Sequence, residues 1–227
     1  KAMSGSADLR FGPGKLAGEP LQSMVARATF NGSDVHVENV DVRLVAGHIV
    51  ASGNINASTK AFDFQGRAEG VELARLAALA NRPNLPPVTG VADFTAHVVG
   101  NLSEATFSGY QFTFDGTARD VTINGKSAGT VALVGRTENK QLNITLTTGI
   151  LGQPQVVAAQ INLDSRHLSA SVETTLTNAD LTNLFAILLP NSGVTVTGKA
   201  NGTIKASGDL LDEDDNWSLA GLTGTAT

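Results

Sequence analysis

The chain has 227 residues, is 41% apolar and 16% charged, and carries a formal charge of -5, long enough to bury one sizeable core or two small ones. It contains no cysteine, which excludes disulfide frameworks, thiolate zinc sites, iron–sulfur clusters and cysteine nucleophiles. Its 16 Lys and Arg form no basic stripe and its aromatics no stacking platform, so nucleic acid is not an expected partner.

In chain order, Lys1 to Ser6 reads as a tag remnant. Thereafter polar and apolar residues alternate with period two, the pattern of strands with one face against a hydrophobic environment and the other in water. Clear cases are Val40-Asp41-Val42-Arg43-Leu44, Phe62-Asp63-Phe64, Tyr110-Gln111-Phe112-Thr113-Phe114, Val121-Thr122-Ile123 and Leu142-Asn143-Ile144-Thr145-Leu146. Asn31-Gly32, Asp115-Gly116, Asn124-Gly125 and Asn201-Gly202 tolerate positive φ and predict tight hairpin turns, hence antiparallel neighbours.

Two segments depart from period two. Leu73, Leu76, Ala77 and Ala80 before Pro83, and Leu181, Leu184, Phe185 and Leu188 before Pro190, recur at helical spacing and predict two short amphipathic helices. The second has Thr177 or Asn178 as candidate N-cap and Asp180 in its first turn. Both helices are expected at an edge or end of a sheet. The longest apolar run near the end, Leu184 to Leu189, is far short of the roughly 18 residues that cross a bilayer.

An ungapped repeat runs through the chain at an offset of 108 residues. Val88-Thr89-Gly90-Val91-Ala92 answers Val196-Thr197-Gly198-Lys199-Ala200, Gly100 answers Gly208, Leu73 and Leu76 answer Leu181 and Leu184, and Asn54-Ile55 answers Asn162-Leu163. The organisation read from it is a first β-repeat unit over 7–102, a second over 103–210, and the start of a further unit over 211–227, with Leu222 to Thr227 as a strand cut short in an excised piece of a longer protein.

Motifs that could carry chemistry lack their required context. Gly125-Lys126-Ser127-Ala128-Gly129 matches the hydrolase nucleophile elbow, but strands, not a strand and a helix, flank it. A phosphate-binding loop would need Gly where Asp120 stands, and Pro13 restricts Gly12-Pro13-Gly14 as a dinucleotide loop. His36, His48, His97 and His167 are too dispersed for a metal site and read as half-exposed strand residues. The acidic run Asp209, Asp212, Glu213, Asp214 and Asp215 has Trp217 where a calcium loop needs Gly, and reads as a solvated turn. Asn31-Gly32-Ser33 and Asn143-Ile144-Thr145 are chance glycosylation triplets in an Asn-, Ser- and Thr-rich chain. No catalytic residue, metal or cofactor is expected.

What remains is an apolar stripe: Val40, Val42, Leu44, Phe62, Phe64, Phe94, Phe112, Phe114, Ile144, Leu146, Val194 and Val196. In a β-sandwich these are ordinary core. In a sheet that curls without closing, they form a dry groove able to hold acyl chains at about 0.8 kcal/mol per buried methylene.

The stretches Val35 to Leu44, Gly47 to Ile55, and Pro87 to Ala92 with Gly100-Asn101-Leu102, echoed at Val196 to Leu210, resemble the repeating element of the AsmA-like and TamB proteins of diderm bacteria. The resemblance covers most of the chain and implies an elongated curled antiparallel sheet built of repeats and shaped like a taco; the helices at Leu73 and Leu181 are more pronounced than such a strand array requires, and the fold class expected is all-β with two short helices. The resemblance further implies a non-enzymatic periplasmic protein, anchored in the inner membrane by a segment outside this chain. Such a protein carries phospholipid acyl chains along a hydrophobic groove between inner and outer membrane. Alternatively it is an assembly scaffold that binds outer-membrane or autotransporter proteins by strand addition. Gly53, Gly90, Gly100, Gly198 and Gly208 would then be structural.

Overall fold

A computed structural model describes residues 3–16, 18–79, 87–104, 106–188, 196–213, 218 and 221–227. Fourteen strands form one antiparallel sheet: β1 (Ser4–Phe11), β2 (Gly14–Leu16), β3 (Glu19–Asn31), β4 (Asp34–Leu44), β5 (Gly47–Asn56), β6 (Ala61–Glu72), β7 (Val88–Asn101), β8 (Gln111–Ile123), β9 (Lys126–Glu138), β10 (Gln141–Thr148), β11 (Gln155–Asn162), β12 (Ser169–Asp180), β13 (Lys199–Asp209) and β14 (Thr223–Ala226). Helix α1 (Leu73–Leu79) follows β6 and α2 (Leu181–Leu188) follows β12.

The order is a plain meander, β1-β3-β4 and onward to β14, with β2 folded back on β3. Thirteen strands in line span roughly 58 Å at the usual interstrand spacing. The sheet does not close, so β1 and β14 are its edges. It is one layer, and the sandwich alternative is therefore corrected: among the described residues no second sheet covers the apolar side chains. The chain exposes 13794 Å², against about 9,700 Å² for a compact monomer of its mass.

The turns correct three expectations. Asn124-Gly125 is a tight hairpin with both φ positive, 50° and 71°, but the loop after β3 is Gly32-Ser33, one residue later than expected. Asp115-Gly116 lies inside β8 and Asn201-Gly202 inside β13. In both, glycine serves close approach within the sheet and not a turn: a Cβ on Gly116 would run into the Cβ of Phe94 at 2.8 Å. Another tight turn is Asn139-Lys140, with φ 49° and 62°, which carries no glycine and gives no such signal.

The 108-residue offset recurs element by element. β3, β4, β5, β6 and β7 map onto β9, β10, β11, β12 and β13, and α1 onto α2. The bulge between Ala68 and Val71 recurs between Leu176 and Ala179. The amide of Leu102 donates to the carbonyl of Lys60 as that of Leu210 does to Leu168. Gly90 and Gly198, at φ 131° and 120°, take a conformation that a side chain would strain.

Both helices gather at one end of the strands, here the helix rim. There Val121, Ala128, Ile150, Leu151, Leu176 and Ala179 form a buried cluster, with Leu73, Val88 and Ile204 packed against it. Helix α2 touches β12 and also β9, so it crosses the ends of β10 and β11. Helix α1 makes the same reach: Arg75 donates to Glu19 of β3 at 3.2 Å, and that carboxylate is buried. The N-cap of α2 is neither Thr177, which lies in β12, nor Asn178, which sits in the bulge at φ 52°. It is Asp180, whose Oδ1 accepts from the amides of Thr182 and Asn183 at 2.8 and 3.4 Å, because the bulge turns the chain into the helix only after it.

Candidate functional site: an uncovered apolar sheet face

Directly paired residues of antiparallel strands share a face, so the register assigns every side chain. One rung runs Val40, Ala51, Gly66, Ala96, Phe114, Gly135, Ile144, Ala159, Val172, Ala206. The next runs Val42, Ile49, Ala68, Phe94, Gly116, Leu133, Leu146, Val157. Neither rung contains a charge or an amide. On the opposite face a rung reads Asp41, Val50, Arg67, Thr95, Asp115, Val134, Thr145. The alternation thus segregates an apolar carpet from a polar back.

Of the stripe residues expected from the sequence, Val42 is buried, Phe94 is 39% exposed, and Val40, Leu44, Phe62, Phe64, Phe112, Phe114, Ile144, Leu146 and Val196 are half-buried. Val194 lies outside the described residues. The register brings all those in β4 to β10 onto the one face, whereas Val196 precedes β13. Leu133, Phe30 and Ile55 share that face and were missed by the pattern. In Val131-Ala132-Leu133-Val134 every residue is apolar, so the phase of the alternation is hidden there.

Large rings on this face lie against glycines of neighbouring strands. Phe64 covers Gly53, Phe62 covers Gly100 and Phe114 covers Gly135. A side chain in any of these places would displace a ring. The result is a smooth floor. Toward the end opposite the helices, Tyr110 stacks on Phe112 with centroids 6.1 Å apart, sits 5.5 Å from Phe62 and 6.1 Å from Phe107, and so links the floor to the loop between β7 and β8.

That opposite end, the turn rim, is polar. A cleft of about 550 Å³ lies there between Phe30, Val35, Ile55 and Phe62 of the floor and Asn31, Asp34, Asn56 and Asp63. Two further open clefts, of about 640 and 490 Å³, are on the polar back, one holding Arg67, His97, Asp115 and Arg136, the other Glu173 and Lys205. At the rim the Asp164 carboxyl is held below the usual carboxylate value, chiefly by the hydrogen bond from Lys140 and then by Ser108.

The other motifs resolve into sheet structure. Ser127 follows the Asn124-Gly125 turn inside β9, and its Oγ accepts from the amide of Gly129 at 3.3 Å. His36, His48 and His97 lie in strands on the polar back, bonded to Asn54, Asp41 and Asp63 at 2.7, 3.1 and 2.7 Å. Among the described residues no group of three or more His, Asp or Glu side chains gathers as a metal site, and no helix is long and apolar enough to cross a membrane. Asp209 accepts from Ser169 at 2.7 Å, while Asp214, Asp215 and Trp217 lie outside the described residues. Comparison with known proteins gives no match, whether to family models, to curated proteins or to solved structures.

Proposed function

We propose that this chain is a non-enzymatic segment of a periplasmic, inner-membrane-anchored bridge that carries phospholipid acyl chains along its apolar sheet face between inner and outer membrane. The observation that carries this reading is the uncovered face itself: rungs of apolar and small side chains cross the sheet, and most of their large members stay half-exposed. A monomer rarely leaves so large a contiguous apolar patch in water. Hydrocarbon satisfies such a face at about 0.8 kcal/mol per methylene and demands no directional partners. A smooth floor lets a chain slide, and the likeness to the AsmA-like and TamB repeats supplies the membranes and the compartment.

The test is lipid capture. Purified chain incubated with phospholipid vesicles and analysed by native mass spectrometry should retain lipid. Phe64→Asp combined with Phe114→Asp should abolish retention while leaving the β signal in circular dichroism. A wild-type chain that takes up no lipid overturns the proposal. So does unfolding of every floor-to-Asp variant, because that is the behaviour of a closed core.

The scaffold alternative draws on one observation: β1 and β14, the two edges, are exposed along their whole length, and an unpaired edge can accept a strand from another polypeptide. It predicts an apo mass with polypeptide bound, in place of lipid.

A further inference from the structure

The two rims of the apolar face differ in kind. The helix rim is sealed by α1, α2 and the buried cluster around Ile150 and Leu151. The turn rim is open, and the ladder Phe112, Tyr110, Phe107 leads up to it from the floor, with Phe107 half exposed at 50%. Charge is divided in the same way. Among the described residues beyond or at the strand ends, the turn rim holds the carboxylates of Asp34, Glu104, Glu138, Asp164, Asp209, Asp212 and Glu213 against Lys60, Lys140 and Arg166. The helix rim holds Glu19, Glu72 and Asp180 against Arg75, Lys126 and Lys199. The open rim is thus net acidic by four charges and the sealed rim neutral.

Resting on the lipid-carrying reading, we infer that phospholipid loads through the turn rim beside Phe107 and Tyr110, tails inward, and that the acidic rim selects a zwitterionic headgroup bearing a primary ammonium over a purely anionic one. At the helix rim α1, α2 and the buried cluster stand where a headgroup would lie, whereas the turn rim offers water directly beside the floor. At that side, Glu104 lies folded over Gly109 in the same short loop as Phe107, which sets a carboxylate next to the aromatic step. A phosphate brought to this rim meets net repulsion, and an ammonium beyond the phosphate relieves it.

Vesicles of phosphatidylethanolamine and of phosphatidylglycerol with identical acyl chains test the inference on the full chain, with bound lipid counted by native mass spectrometry. At low salt the ethanolamine lipid should load roughly three- to tenfold better, the ratio shrinking toward one at high salt as screening sets in. The triple variant Glu104→Lys, Asp212→Lys, Glu213→Lys should reverse the preference with unchanged circular dichroism. The control Lys126→Glu, Lys199→Glu at the sealed rim should leave it alone. Equal loading of the two lipids, or an equal response to the control, overturns the inference and spares the lipid-carrying reading. No loading of either lipid overturns both.

Discussion

At the scale of single residues, the sheet is organised by pairs of unequal size. Phe114 occupies the space above Gly135 because a strand glycine leaves a gap that a neighbouring ring can cover. Gly135→Ala should therefore destabilise the chain by about 1–3 kcal/mol through overpacking, read as a lowered urea midpoint. In the Phe114→Ala background the same substitution should cost far less, and additive losses would show the ring not to be the cause. Asp164 gives a pH-dependent case. Its carboxyl sits below its ordinary value through Lys140 and Ser108, so the stability it lends is present at neutral pH and fades as pH falls through that lowered value. The difference in Tm between wild type and Asp164→Asn should be small, since the pair is exposed, present at pH 7, and absent below the usual carboxylate range.

At the scale of elements, each helix is a clasp that returns across the ends of two strands to the start of its own repeat. For α1 the clasp ends in Arg75, which meets Glu72 at 2.9 Å and the buried Glu19 at 3.2 Å. Arg75→Ala strands the Glu19 carboxylate and should cost about 1–3 kcal/mol, measured by chemical denaturation. Part of that loss should return on adding Glu19→Gln, which removes the unpaired charge. For α2 the weak point is its start. With only eight residues it relies on packing and on its cap, so Asp180→Ala should cost about 1 kcal/mol. An unchanged stability would mean that the two amides find other acceptors.

At the scale of the whole molecule, a single-layer sheet buries little for its length. The folded chain already exposes 13794 Å², so the urea m-value should fall below that of a compact protein of 227 residues, because m follows the surface newly exposed on unfolding. On the lipid-carrying proposal, hydrocarbon would take the place of a second layer, and lipid occupancy should raise Tm in proportion to the logarithm of free lipid concentration. A compact-protein m-value would show that the apolar face is already covered in solution.

Much of this was legible from residue order. Period two placed strands at Val40 to Leu44 and Leu142 to Leu146, helical spacing placed α1 and α2, and the 108-residue echo anticipated structure that repeats down to single bulges. All of these are short-range regularities, written in a few consecutive side chains. The role of a particular glycine was not, since Gly116 in a turn and Gly116 against Phe94 look alike in one dimension and differ only by what the next strand brings. Nor was the cap of α2, which depends on where a bulge releases the chain. Above all, alternation says that one face of a strand is apolar but never what faces it. Whether another sheet lies there is a contact between residues far apart in the chain, and it took the folded arrangement to leave that face without a second sheet among the described residues and to divide its two rims into one carrying the helices and an acidic, open one.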